Sequence, residues 1–168
     1  MHSSNVLHRD IKSENILSSS QGDIKISDLG LSKFLSQEVS QAKTITGTVP
    51  FYSPEIAQNI QYSKEVDVWA FGCFAYEMAT GFAPFSNERD EAKQLKDIIS
   101  KKHEPIPSHW SSSFTDLIDK CLIKEASERW SMAQLLKHPF FSELQDNRKV
   151  DHYMKTWWRE YNEYLTNK

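Results

Sequence analysis

The sequence predicts a mainly α-helical protein with a small β element near its amino terminus. In the first third of the chain, short apolar runs alternate with turn residues, whereas most of the remainder has apolar residues at helical spacing. The 168 residues are 39% hydrophobic and 26% charged, which is typical of a globular domain with its own core. We therefore expect hairpin strands followed by a helical bundle around a buried central helix.

The β element is predicted where two apolar segments flank a turn. Ile16-Leu17 and Ile24–Ile26 lie on either side of residues 18–23, which are rich in turn formers. The polar segment 32–48 that follows has no clear periodicity and is too long for a simple connection. Such segments are usually functional or mobile.

Helical patterning begins at Ser53-Pro54-Glu55, which combines an N-cap residue, a proline in the first helical position and an acid in the first turn. The next helix is predicted to be capped by Ser63 and to stop near Gly81. It is apolar nearly all round, which indicates the buried central helix. Further helices are predicted at about Glu91–Lys101, Phe114–Ile123 and Met132–Lys137. Capping boxes are predicted at Ser113 with Asp116 and at Ser131 with Gln134.

Residues 142–168 are predicted to form a C-terminal amphipathic helical extension with an aromatic face. The apolar residues at helical spacing are Val150, Tyr153, Met154, Trp157, Trp158, Tyr161, Tyr164 and Leu165. Two interpretations are open for this face. It packs on the rest of the domain, or it is a docking surface for another chain or for a missing part of this one.

The composition argues against several classes of protein. The net charge is −3 and the pI is near 6.1, so we expect no nucleic-acid partner. No uncharged run approaches the ~20 residues needed to cross a bilayer, so we expect no membrane insertion. Cys73 and Cys121 lie in apolar helical patterns, which favours buried thiols over a disulfide or a metal site. With no signal peptide visible, we expect a soluble, cytoplasmic protein.

The stretch VLHRDIKSENIL, near the amino terminus, concentrates side chains that can handle charge. Asp10 could accept a proton from a hydroxyl, Lys12 could neutralise a phosphoryl oxygen, and Asn15 offers a neutral oxygen to a hard cation. Asp28, in the DLG after the second predicted strand, suits a magnesium ion that bridges phosphates. Each residue alone is more typical of a solvated loop or a helix cap, so the indication comes from the joint pattern.

That joint pattern resembles the catalytic loop and magnesium loop of protein kinases. Its members are His8, Arg9, Asp10, Lys12, Asn15, Asp28, Leu29 and Gly30. GTVPFYSPE resembles the end of a kinase activation segment, DVWAFGCFAYEMATGFAPF the central helix of the large lobe, and ERWSMAQLLKHPFF its closing segment. The resemblance covers residues 1–141 and implies a partial kinase domain, the C-terminal lobe, with 142–168 as the extension.

The resemblance also implies residue roles. Asp10 would orient the acceptor hydroxyl and accept its proton, Lys12 would contact the transferred phosphoryl group, and Thr48 would brace both. The implied cofactors are ATP and Mg²⁺, with magnesium held by Asn15 and Asp28.

Nucleotide contacts are implied for Lys12, Glu14, Asn15, Leu17 and Asp28, with Leu17 under the adenine. Structural roles are implied for His8, Leu29, Gly30, Glu55, Asp67 and Arg129, with Arg129 pairing with Glu55.

The implied partner is a protein with a serine or threonine acceptor, because Lys12 and Thr48 match serine/threonine rather than tyrosine kinases. Arg9, before the catalytic aspartate, implies regulation by a phosphate that an upstream activating kinase places on the activation segment. Regulatory residues are therefore predicted at Arg9, Ser40, Thr44, Thr46 and Thr48. The alternative to this regulation is that the segment containing these residues is a disordered loop that carries no phosphate.

The sequence departs from the family pattern in two ways. Leu29 and Ser53 replace the usual phenylalanine and alanine, which alters neither proton transfer nor metal binding. The sequence also contains no glycine-rich loop, strand lysine or paired helix glutamate of an amino-terminal lobe, so Met1 resembles an internal residue of a longer parent or the start of a shortened product. Two readings follow: a serine/threonine kinase lobe that is a poor catalyst alone, or a non-catalytic interaction fragment.

Overall fold

The fold is described from a computed structural model, in residues 1–19, 23–35, 42 and 44–143 and at the single positions 156, 159 and 163. The predicted regulatory Ser40 lies outside the described residues. So does the predicted aromatic extension beyond residue 143, apart from those single positions.

Two small antiparallel sheets lie near the amino terminus. Their strands are β1 (Val6–Leu7) with β4 (Lys33–Phe34), and β2 (Ile16–Ser18) with β3 (Ile24–Ile26). The second sheet is the predicted hairpin, in which Ile16 lies opposite Ile26. This register brings together the residues that flank the strands, because the amide and the hydroxyl of Ser27 both donate to the Asn15 carbonyl, at 2.8 and 3.2 Å.

The longer elements of the described chain are all α-helices, and the predicted mainly α fold with a small β element is confirmed. The α-helices are α1 (Pro54–Ala57), α2 (Glu65–Thr80), α3 (Glu91–Ser100), α4 (Ser112–Cys121), α5 (Met132–Leu135) and α6 (Pro139–Glu143). Single 3-10 turns lie at His2–Ser4, Ser13–Asn15, Leu29–Leu31 and Val49–Phe51. None of the helices in the described ranges is long and apolar enough to cross a bilayer.

Helix α2 is the buried centre of the bundle. Trp69 and Cys73 on α2 are fully buried, as is Cys121 on α4, and both cysteines are free thiols, as predicted. The helix ends where predicted, because Gly81 adopts a left-handed φ of 88° and its amide donates to the Glu77 carbonyl. Burial of apolar area around this helix supplies the main core.

Several predicted helix boundaries and caps are wrong. The N-cap of α2 is Lys64 rather than Ser63. Helix α4 starts earlier than predicted, at Ser112, and its cap is Ser111, which accepts from the Phe114 amide. Three consecutive serines offer similar caps there, so the apolar pattern alone did not fix the start. The predicted ends of α3, α4 and α5 also lie one to two residues too far along the chain. The capping box of Ser131 with Gln134 is confirmed.

Replacing Gly72 by alanine is expected to lower the free energy of unfolding by about 1–3 kcal/mol, because α2 and α4 are in close contact there. A Cβ at position 72 would lie 2.5 Å from Cys121 Cβ and 2.9 Å from Leu122 Cδ2. Alanine is the better helix former, so any loss must come from this contact. Denaturant unfolding measures it, with the exposed Met78→Ala of the same helix as the control. An unchanged Gly72→Ala protein would contradict the contact.

Candidate active site

A buried carboxylate in the first turn of α2 fixes the backbone of the loop that carries the predicted catalytic residues. The two oxygens of Asp67 accept from the amides of His8 and Arg9, each at 2.9 Å. Asp67 also contacts His2 Nε2 at 2.8 Å. The buried His8 ring donates from Nε2 to the Ser27 carbonyl at 2.9 Å. The loop is therefore held both by the central helix and by the segment after β3.

The side chains of Asp10, Lys12 and Thr48 form a closed triangle. Lys12 Nζ lies 3.1 Å from Asp10 Oδ2 and donates to Thr48 Oγ1 at 2.8 Å. The Thr48 hydroxyl donates in turn to Asp10 Oδ1 at 3.1 Å. Two residues of the loop are thereby joined to Thr48, in the segment that precedes α1. A carboxylate held by such donors is oriented as a hydrogen-bond acceptor.

Asn15 orients the same carboxylate from the other side. Its amide nitrogen donates to the Asp10 carbonyl at 2.8 Å and to Asp10 Oδ2 at 3.0 Å. Both residues are buried. Because the nitrogen is committed to Asp10, the carbonyl oxygen of the Asn15 side chain is the atom left to act as a metal ligand.

Asp28 lies beside Asn15 across the hairpin, because its neighbour Ser27 bonds to the Asn15 carbonyl. It has a left-handed φ of 58°, and its Oδ1 accepts from the Gly30 amide at 3.1 Å. A Cβ on residue 30 would lie 3.0 Å from that oxygen, so glycine suits the turn. Asp28 itself is exposed to solvent.

The residues present fit a magnesium ion that is shared with phosphates. Mg²⁺ prefers oxygen ligands and is usually held by one or two carboxylates together with substrate phosphates and water. Asn15 and Asp28 offer one amide oxygen and one carboxylate at the same end of the hairpin. Among the described residues there is no cluster of three or more His, Cys, Asp or Glu side chains that would form an all-protein metal cage.

The structure reveals Tyr62 as a site residue that the sequence analysis missed. Its buried hydroxyl donates to the Thr44 carbonyl at 2.7 Å and accepts from Arg9 Nη1 at 3.4 Å. Its backbone also pairs with Ala42 in an isolated β-bridge. Tyr62 therefore ties the backbone at Thr44 to Arg9, the residue next to Asp10. Only its contacts, which are distant in sequence, identify it.

Gly47 and Tyr52, on either side of Thr48, hold this part of the chain against the loop that carries Asp10. Gly47 has a φ of 106°, and a Cβ there would lie 2.7 Å from the Arg9 carbonyl, so glycine permits the close approach. The Tyr52 hydroxyl donates to the Gly47 carbonyl at 3.3 Å. Burial raises the pKa of Tyr52, and the nearby carboxylates of Glu91 and Asp10 raise it further. The hydroxyl therefore stays protonated as a donor.

Other predicted residues lie apart from this cluster. Leu17 is 53% exposed and Leu29 is 60% exposed, and Glu14 is exposed as well. Their roles at the nucleotide and in a hydrophobic stack remain predictions. Thr44 is exposed and Thr46 is half-buried, and both lie in the segment that Tyr62 holds.

The remaining predicted pair joins helix α1 to the segment between α4 and α5. Arg129 Nη1 and Nη2 donate to the two oxygens of Glu55 at 2.6 and 3.0 Å, and both side chains are buried. The guanidinium also donates to three backbone carbonyls, those of Ile123, Glu65 and Lys124. Its polar hydrogens are thus extensively satisfied, as a buried charge requires.

This helical fold and its catalytic-loop geometry define the class of protein. A family model described as the protein kinase domain matches residues 1–141, and the chain belongs to this family.

Among its relatives, the chain is 40% identical over 148 residues to mitogen-activated protein kinase kinase kinase A of Dictyostelium discoideum. It is 39% identical over 143 residues to serine/threonine-protein kinase pakH of the same organism, and 40% identical over 143 residues to mitogen-activated protein kinase kinase kinase 2 of Arabidopsis thaliana. These alignments cover 88%, 83% and 83% of this chain but only 16%, 27% and 22% of the relatives.

Proposed function

We propose that the chain carries the catalytic lobe of a serine/threonine protein kinase, which transfers the γ-phosphoryl group of ATP to serine or threonine hydroxyls of a protein. The observation that carries this proposal is the triangle of Asp10, Lys12 and Thr48, closed by distances of 2.8 to 3.1 Å. The names of the relatives, which include a serine/threonine-protein kinase, support it. Two buried free thiols, Cys73 and Cys121, support a cytoplasmic location.

In the proposed mechanism, Asp10 accepts the proton of the acceptor hydroxyl as that oxygen attacks the γ-phosphorus of ATP, and the bond from that phosphorus to the bridging oxygen breaks so that ADP leaves. Lys12 offsets negative charge on the transferred group, and Thr48 holds Asp10 and Lys12 in register. Asn15 and Asp28 would hold magnesium, which supplies charge neutralisation on the phosphates. Asn15 has the further task of orienting the Asp10 carboxylate through its amide nitrogen.

The proposal includes low activity for these 168 residues by themselves. The sequence has five glycines, and they are too far apart in the sequence to make a glycine-rich phosphate loop. Positioning of reactants contributes roughly 7–11 kcal/mol to such reactions, and much of it requires a clamp on the nucleotide. The test compares the chain alone with a form in which the amino-terminal half of a relative's kinase domain is joined ahead of Met1, here named the joined kinase. The joined kinase is expected to phosphorylate serine and threonine peptides, whereas the chain alone transfers little.

Removing the Thr48 hydroxyl is expected to slow transfer by the joined kinase about tenfold to a hundredfold, because a small displacement of catalytic groups has effects of that size. Thr48→Val has a similar shape but cannot bridge Lys12 and Asp10. Thr48→Ser keeps the hydroxyl and is expected to retain most of the rate. Initial rates with a threonine peptide measure both variants. Equal rates for the valine and serine variants would contradict the bracing role.

Regulation by a phosphate at Thr44 or Thr46, or at Ser40, is part of the proposal. Arg9 Nε donates to the Leu31 carbonyl at 2.6 Å, and its Nη1 reaches Tyr62, which holds the Thr44 carbonyl. A phosphate brings about −1.5 to −2 charge that an arginine can bind. Mass spectrometry of the protein from its native cells tests this, and an absence of phosphate at all three residues would oppose it.

The alternative is a non-catalytic fragment that binds other proteins, which exposed apolar side chains favour. Phe34 is 67% exposed and Met78 is 62% exposed. Partner binding that survives Asp10→Asn and removal of ATP, combined with no transfer by the joined kinase, would support this alternative.

A further inference from the structure

A groove beside the carboxyl-terminal end of α2 plays no part in the catalytic arrangement. It encloses about 550 Å³, and its apolar lining includes Ala79, Phe82, Ala83, Pro105 and Pro107. Phe82 is 59% exposed. A volume of this size accommodates large side chains.

The rim of the groove carries two carboxylates without an ion-pair partner among the described residues. Two lysines of the lining are already paired, because Lys101 Nζ lies 2.8 Å from Asp97 and Lys102 Nζ lies 3.6 Å from Asp119. Glu88 and Glu104 also line the groove. The hydrogen bond to Asp97 raises the pKa of Lys101, and the charges of these two glutamates raise it further, but neither glutamate forms an ion pair in the described part of the chain. The groove therefore suits an apolar segment that brings positive charges.

A row of aromatic rings, here named the aromatic ladder, connects the groove to residue 143, the end of the continuously described part of the chain. Trp110 donates from Nε1 to the carbonyl of the groove residue Ala79 at 3.1 Å. Successive ring centroids from Trp110 through Phe114 to Phe140 lie 5.0 Å apart at each step. Phe140 belongs to α6, whose last residue, Glu143, accepts from Ser113 at the start of α4. The chain thus continues beyond residue 143 from a point close to Phe140, the last ring of the aromatic ladder.

We propose that the aromatic segment 150–165 of the same chain docks in this groove. Residues 144–149 could span roughly 20 Å if extended, which lets the segment follow the ladder to the groove. The segment supplies large apolar anchors, such as Trp157 and Trp158, and Lys155 beside them carries a positive charge that can meet the carboxylate of Glu88 or Glu104. A buried aromatic side chain contributes about 150–250 Å² of contact area, which makes the tryptophans the main anchors. This docking does not depend on the phosphate-transfer proposal.

Hydrogen exchange of the full 168-residue chain, read by mass spectrometry, tests the docking. The double variant Trp157→Ala, Trp158→Ala is expected to speed exchange about tenfold in the groove segments 79–88 and 101–107, as loss of a central aromatic anchor would. Exchange in the catalytic loop, residues 6–17, should not change. Thr166→Ala, which leaves the aromatic face intact, is the matched control. Unchanged exchange in the groove, or a change confined to another surface, would overturn the proposal.

Zero-length carbodiimide cross-linking gives a second, independent measurement. Lys155 is expected to join Glu88 or Glu104 within one chain, and the yield should fall in the double tryptophan variant. Cross-links from Lys155 only to residues outside the groove would overturn the proposal. If the slow exchange in the groove, or the cross-links, weakened on dilution, the occupant would be a second copy of the chain. If slow exchange in the groove required an added protein, the occupant would be a separate partner. Either result would overturn docking within the same chain.

Discussion

Asp10→Asn is expected to slow phosphate transfer by the joined kinase about 10²- to 10⁴-fold, the usual contribution of a general base. Asparagine has nearly the same shape and can still accept a hydrogen bond from Lys12 or Thr48, but its amide cannot take the proton of the acceptor hydroxyl. The loop backbone should keep its position, because it is held separately by Asp67. The initial rate with a serine or threonine peptide measures the loss.

Asp23→Asn is the matched control for this measurement. Asp23 is an exposed carboxylate near the turn of the β2–β3 hairpin, and its polar contacts are with Ser19. Its neutralisation should leave the rate unchanged. If Asp10→Asn and Asp23→Asn transferred phosphate at the same rate, Asp10 would not be the proton acceptor.

Glu55→Gln is expected to lower the free energy of unfolding by about 3–5 kcal/mol, because it leaves the buried Arg129 guanidinium without its counter-charge. The glutamate makes two contacts with that group, at 2.6 and 3.0 Å. The guanidinium also lies 5.0 Å from the centre of the Trp69 ring in the core, where few other partners can replace a carboxylate. Denaturant unfolding of the full chain measures the loss.

Lys120→Gln provides the comparison for the ion pair. Lys120 pairs with Asp116 at 3.6 Å on the surface of α4, and exposed pairs of this kind contribute little to stability. The change should therefore be much smaller than for Glu55→Gln. If Glu55→Gln and Lys120→Gln lowered the free energy of unfolding by similar amounts, burial of the Glu55–Arg129 pair would not explain its contribution to stability.

The parts of the fold that could be predicted have strong local signals. Helix α2 was predictable because its sequence is apolar nearly all round and ends at Gly81, where only glycine readily adopts the observed backbone. The hairpin was predictable from turn residues between two apolar runs. A position that failed, the capping box predicted at Ser113, lies in a run of three serines that suit the same role, and it is Ser111 that caps the helix.

The candidate site was predictable only in part for the same reason. Asp10, Lys12 and Asn15 lie within one short stretch, so their order along the chain already indicates a shared site. Tyr62 could not be found in this way, because its partners Arg9 and Thr44 lie 53 and 18 residues away. Such a residue emerges only when the fold brings distant segments together.

Transfer of labelled phosphate from ATP to a protein acceptor, followed by identification of the labelled residue, tests the central claim most directly. The account predicts phosphoserine and phosphothreonine from the joined kinase with magnesium, no labelling with a chelator, and labelling that is about 10²- to 10⁴-fold slower with Asp10→Asn. An undiminished rate of transfer in the Asp10→Asn variant, or labelling of tyrosine alone, would contradict it.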